Sequence, residues 1–162
     1  MHLPGRTRSS ALAAGLLAVS LAASACAPGV PTSTPQRAGP LLTVQTRGGE
    51  CPGGPCGTTV VLERDGRVHQ AAKPPNDLGT VWPEALASLD AAISAADFEE
   101  IRSHPFSGEC PTAYDGQEIV FEFGAPGGVE RIATCEVAVD FGSPLFAAVA
   151  TALGPFVALP TR

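Results

Sequence analysis

Polar and apolar positions alternate most cleanly from Gln117 to Phe123. Ile119, Phe121 and Phe123 fall on one face and Glu118 and Glu122 on the other. A period of two marks a strand with one buried face. Gly124-Ala125-Pro126-Gly127-Gly128 then turns the chain, and Val129 to Val139 reads as its return. A four-residue loop over residues 125–128 sets Phe121 opposite Ile132 and Glu122 opposite Arg131. An even shift would face Glu122 with Glu130, which like-charge repulsion disfavours. The second hairpin signal is Thr58 to Gln70, with Asp65-Gly66 at its turn. A two-residue loop would set Glu63 against Val68. A three-residue loop, Arg64-Asp65-Gly66 with Gly66 left-handed, sets Leu62 against Val68 and Glu63 against Arg67, and is preferred. His69 then shares a face with Glu63 and Arg67, as a solvated side chain. Leu41 to Thr46 is a candidate first strand, followed by Arg47-Gly48-Gly49.

The three-to-four period comes between the hairpins. Ala71 to Gly79 holds Lys73-Pro74-Pro75-Asn76-Asp77 and is expected as a loop. Pro83 fits a first helical turn and Glu84 its positive dipole end. Leu86, Leu89 and Ile93 then form one apolar stripe. Ser94 and Asp97 are spaced like a capping pair for a second short helix, with Phe98 and Ile101 buried. Ser103-His104-Pro105 ends it, with His104 as a partner for the helix C-terminus. Phe106 to Gly116 is a loop. Ser143, Pro144 and Gly154 delimit a last helix with Phe146, Val149 and Leu153 on one face. The fold class is therefore α+β. A single antiparallel sheet of four or five strands, built from two hairpins, is packed by a central helical pair and a C-terminal helix. Its expected core is Leu86, Leu89, Ile93, Phe98, Ile119, Phe121, Phe123, Phe146, Val149 and Leu153.

The N-terminus has another character. Arg6 and Arg8 precede an apolar run that ends in small residues and Cys26, the order of an export signal. The run, about 13 residues, is too short to span a bilayer as a helix. Leu21-Ala22-Ala23-Ser24-Ala25-Cys26 resembles the lipobox of bacterial lipoproteins, with Ala23 where leucine is usual. That resemblance implies cleavage just before Cys26 and diacylglycerol on its thiol, with palmitate among the expected lipid. Residues 1–25 are then a signal peptide, 26–40 a proline- and glycine-rich tether, 41–155 the folded domain and 156–162 a tail. The signal holds two of the ten basic residues and none of the sixteen acids, so the chain from Cys26 carries a formal charge of 8 − 16 = −8. Such a balance argues against nucleic acid as a partner.

Four cysteines remain: Cys51, Cys56, Cys110 and Cys135. An even number in an exported chain reads as two disulfides, with three connectivities open. The register chosen above brings Cys135 beside Glu118, near Cys110, and so favours Cys110–Cys135. Gly53-Gly54 permits a small Cys51–Cys56 ring. Zinc is disfavoured because no Cys-x-x-Cys occurs. Nothing beside the cysteines would lower a thiol pKa for redox work. Glu118 and Glu122 lie ~13 Å apart along a strand, beyond the ~5–9.5 Å of a glycosidase pair. Asp115 with Glu118 and loop carbonyls could hold a cation only thinly, since calcium takes six to eight oxygens. No cofactor is expected. The order from Cys51 to Val68, Leu86 to Phe98 and Cys110 to Cys135 resembles small uncharacterised exported bacterial domains. Those motifs imply fold and not mechanism. The expectation is a non-catalytic lipoprotein, anchored to the membrane through Cys26, that binds or scaffolds an envelope protein or ligand outside the cytoplasm. The alternative is an exported enzyme with a loop-acid site near Asp115.

Overall fold

A computed structural model describes residues 38–160 apart from 52–53, and leaves the side chains at 51–55 undescribed. The expected signal peptide, most of the expected tether and the expected lipidation site, Cys26, lie outside the described residues. Six strands form one antiparallel sheet in the order β4-β3-β2-β1-β5-β6. They are β1 Leu42–Cys51, β2 Gly54–Leu62, β3 Arg67–Gln70, β4 Asn76–Thr80, β5 Glu118–Ala125 and β6 Gly128–Ala133. Helices α1 Pro83–Ala95, α2 Phe98–Arg102 and α3 Pro144–Leu153 complete the α+β fold.

The sixth strand corrects the expectation of a loop over residues 71–79. β4 is an edge strand bonded only to β3, so half of its backbone groups need no ladder partner. The register shifts between Val68 and His69, and Gly79 takes φ +131°, where a side chain would be strained. Short length, polar residues and such an irregularity blunt an exposed edge.

β1 runs five residues beyond the expected end at Thr46, because its two glycines make a bulge instead of a stop. Pairing jumps from Arg47↔Gly57 to Glu50↔Pro55, and Gly48 and Gly49 take φ +93° and +79°. Both hairpin registers are as expected. Leu62 faces Val68, the Glu63 N–H donates to the Arg67 carbonyl at 2.8 Å, and Gly66 is left-handed at φ +90°. Phe121 faces Ile132 and Glu122 faces Arg131. The β5–β6 loop is tighter than expected, because the ladder continues to Ala125↔Gly128. β6 also ends at Ala133 rather than at Val139. The chain turns over 134–136 and rejoins only through an isolated bridge, Pro105↔Val137.

The helices cover one face of the sheet. Leu89 and Ile93 of α1, Phe98 of α2 and Phe146, Val149 and Leu153 of α3 are buried with Ile119, Phe121 and Phe123. Of the ten expected core residues only Leu86 is less than buried, packed at the margin. Asp97, not Ser94, caps α2: its carboxylate accepts the Glu100 N–H at 2.9 Å, while Ser94 lies inside α1. Ser143 occupies the N-cap position of α3 without a side-chain capping bond. Phe156, Val157 and Leu159 after α3 also pack against the core. The other face of the sheet presents Thr43, Gln45, Thr59, Val61 and Glu122, all half-buried or exposed.

Candidate functional site

The region of Asp115 begins with a short 3-10 turn, Pro111–Tyr114. Proline starts it and Asp115 ends it in the left-handed conformation, φ +58°, with its N–H on the Pro111 carbonyl. The turn lies against the bulge of β1. A Cβ on Gly48 would come within 2.5 Å of Thr112 Cγ2, so glycine is required there by space as well as by φ. Beyond the turn, Glu118 opens β5 with its side chain on the outer face, yet only 5% of its surface is exposed. Arg47, its register partner on β1, donates from Nε to Glu118 Oε2 at 2.5 Å. That bond holds Arg47 above its ordinary pKa.

Glu118 is therefore engaged by a guanidinium rather than shared with Asp115. Among the described residues no cluster of three or more His, Cys, Asp or Glu side chains could hold a metal ion. Glu122 stands exposed opposite Thr43, and its neighbour Arg131 donates to Glu136 at 2.8 Å. The only tyrosine, Tyr114, donates its hydroxyl to Glu109. Arg47–Glu118 and Arg131–Glu136 are ion pairs, and Tyr114–Glu109 is a hydroxyl-to-carboxylate hydrogen bond.

The three cysteines whose side chains are described are oxidised. Cys110 and Cys135 form a disulfide with Cα atoms 5.2 Å apart. Cys56 is also disulfide-bonded. The side chain of Cys51 is among those not described. The first bond ties the 106–117 loop to the turn that follows β6.

Those two segments enclose the largest departure from the sequence picture, a groove of about 570 Å³. Phe106 and Pro111 come from the loop, Ile119 from β5, and Val137, Val139 and Phe141 from the stretch before α3. Its polar members are largely committed. Thr134 Oγ1 accepts the Ile119 N–H at 3.0 Å, and Asp140 Oδ1 accepts the Gly142 N–H at 2.8 Å. Gln117 is the other polar side chain on the wall. Phe141 and Pro160 also border a second hollow of about 490 Å³, lined by Ala147, Ala150, Val157 and Leu159. No periodic signal could have exposed this site, because most of its walls come from connecting segments.

The two histidines of the described chain are structural. His104 Nδ1 lies 3.0 Å from the Glu100 carbonyl and ends α2 as expected. His69 Nε2 lies 3.0 Å from Glu63 Oε1, and this contact raises its pKa above 6.5. A raised folded-state pKa means that the charged pair adds stability fully below the unfolded value of ~6.5. The contribution fades as pH rises through the folded value. His69→Gln should therefore flatten the decline in thermal midpoint across neutral pH, read by scanning calorimetry from pH 5.5 to 8.5. An unchanged slope would deny the pair any role.

No protein-family model, curated protein or solved structure matches this chain.

Proposed function

We propose that the protein is a non-catalytic envelope lipoprotein, held outside the cytoplasmic membrane by lipid on Cys26, whose folded domain binds a small apolar molecule. The groove between the 106–117 loop and the 134–141 segment carries this reading. Its volume falls in the ~300–1,000 Å³ range of small-molecule sites. Its walls are mostly apolar, with Thr134 and Asp140 each accepting one backbone N–H. An apolar ligand gains ~25 cal/mol per Å² buried against such walls. The Cys110–Cys135 disulfide supports an oxidising location, since such bonds persist mainly outside the cytosol. The lipobox-like Leu21 to Cys26 supports the anchor.

Two or three acyl chains, each buried methylene contributing ~0.8 kcal/mol, would hold the domain at a membrane. Palmitate labelling should mark the wild-type protein, and Cys26→Ser should lose both the label and membrane retention. Native mass spectrometry of the envelope protein should find an apolar molecule bound. Val139→Asp, on the groove wall, should release that molecule. A label that survives Cys26→Ser would refute the anchor. A groove found empty in wild type would refute the binding role.

A further inference from the structure

Antiparallel pairing gathers four features at one end of the sheet, where β1 starts. They are residues 38–41, the 63–66 turn, the start of α1 after β4, and the β5–β6 turn at 126–127. Contacts tie them together. Arg64 donates to the Gly124 carbonyl at 2.8 Å, and a Cβ on Gly124 would come within 2.5 Å of the Pro40 carbonyl oxygen. Gly124 faces Val129, and Arg64 lines a hollow of about 620 Å³ with Trp82, Pro83 and Leu86. Two of the three exposed large apolar side chains of the described domain lie here, Trp82 at 80% and Val129 at 72%. The third, Tyr114, belongs to the opposite end.

Much of the charge at this end is paired, although Glu84 in the first turn of α1 is exposed. Residues 123–129 carry no charge. Asp65 is paired with Arg67 at 2.8 Å, Glu63 with His69 at 3.0 Å, and Arg64 with Asp90 at 3.7 Å.

We propose that this end rests on the surface of a zwitterionic phospholipid bilayer, with Trp82 seated among the headgroups beyond the β4 edge of the sheet and Val129 touching the surface at the opposite, β6 edge. The inference rests on the lipid anchor proposed above. The chain enters the domain at this end, and a lipid on Cys26 lies at most about 40 Å from Ala38 at ~3.5 Å per residue, so the anchor favours this end over the opposite one. β1, ten residues long, places the opposite end about 30 Å farther away. Tethering raises the local concentration of the membrane, so a shallow contact suffices. An indole suits that depth, apolar in body with one N–H for a headgroup. Neutral lipid follows from the charge, because an acidic chain is repelled by an anionic leaflet.

Trp82 is the only tryptophan, so its emission reports this position alone. The mature full chain would be placed on phosphatidylcholine vesicles, with brominated acyl chains in a parallel set. The expected result is emission at shorter wavelength than for the Cys26→Ser chain in buffer, quenching by the brominated lipid, and loss of iodide quenching. Val129→Glu, at an exposed position near the start of edge strand β6, should weaken vesicle binding of the Cys26→Ser chain about tenfold, the equivalent of ~1.4 kcal/mol. Intact mass separates the two ideas. If the chain bears acyl groups and sits on vesicles while iodide still quenches Trp82 fully, the docking is wrong and the anchor stands. If no acyl mass is found, the anchor is wrong, and docking is judged on that same chain: bromolipid quenching at high lipid upholds it, and its absence overturns it. Protection of Trp82 that needs added envelope protein and ignores brominated lipid also overturns it, in favour of a protein partner.

Discussion

Phe121→Ala is expected to cost about 4 kcal/mol, the largest effect of any single truncation considered for this domain. The ring is fully buried at the centre of β5. Its centroid lies 5.1 Å from Phe146 edge-on, 5.9 Å from Phe123 and 6.5 Å from Phe141. It therefore joins the sheet to α3 and to the segment leading into it. Removing it forfeits the transfer energy of the ring and leaves a cavity whose walls are themselves rigid rings on separate elements, so collapse into the space is limited. Urea unfolding should show a lower midpoint with an unchanged slope, and the thermal midpoint should fall by roughly 15 °C. Leu86→Ala, at the margin of the same core, supplies the comparison and should cost well under half as much. Equal losses at the two positions would mean that the aromatic cluster does not organise the core.

The parts of this fold legible in the sequence are those in which neighbours along the chain become neighbours in space. The 62↔68 and 121↔132 registers follow from placing like beside like and opposite charges across, and both are found. The stripe on α1 and the delimiting Pro144 and Gly154 work for the same reason. β4 is illegible because its strand character is conferred by β3. Asn76 and Asp77 have no strand preference, and only an edge position tolerates two prolines just before them. The glycines at 48 and 49 look like a terminator when their partner, the Thr112 turn, is more than 60 residues away. Ser94 resembles a cap because spacing alone cannot distinguish the last turn of one helix from the first of the next.

The candidate site was harder for a related reason. Alternation places Glu118 on the outer face, where it is, but cannot show that Arg47 will cover it. An acid that looked available for chemistry is thereby committed to a salt bridge. The groove has no signature either, since Phe106, Val139 and Phe141 belong to no regular element. What frames the groove is legible, through Cys110 and Cys135. Pairing these two required the β5–β6 register, and that register came from charge.

Replacing both Cys110 and Cys135 by serine is expected to cost about 3 kcal/mol, from the entropy returned to an unfolded chain once closed into a ring of some 26 residues. The thermal midpoint should drop by roughly 10 °C. The loss should not be spread evenly. The hydrogen bonds described for residues 107–117 stay within that segment: Ala113 to Cys110, Asp115 and Gly116 to Pro111, and Tyr114 to Glu109. It is also tied by the disulfide and by the packing of Thr112, Asp115 and Gly116 against Gly48 and Gly49 of β1. Without the covalent bond this segment should open alone, at a free energy well below that of global unfolding. Hydrogen exchange should then show lost protection across residues 106–117, while amides of β1 and β5 still exchange only through complete unfolding. Because Phe106, Pro111 and Gln117 line the groove, retention of its proposed apolar ligand should fall with them. A uniform loss of protection over the whole domain would instead show that the bridge holds the sheet together and not the loop.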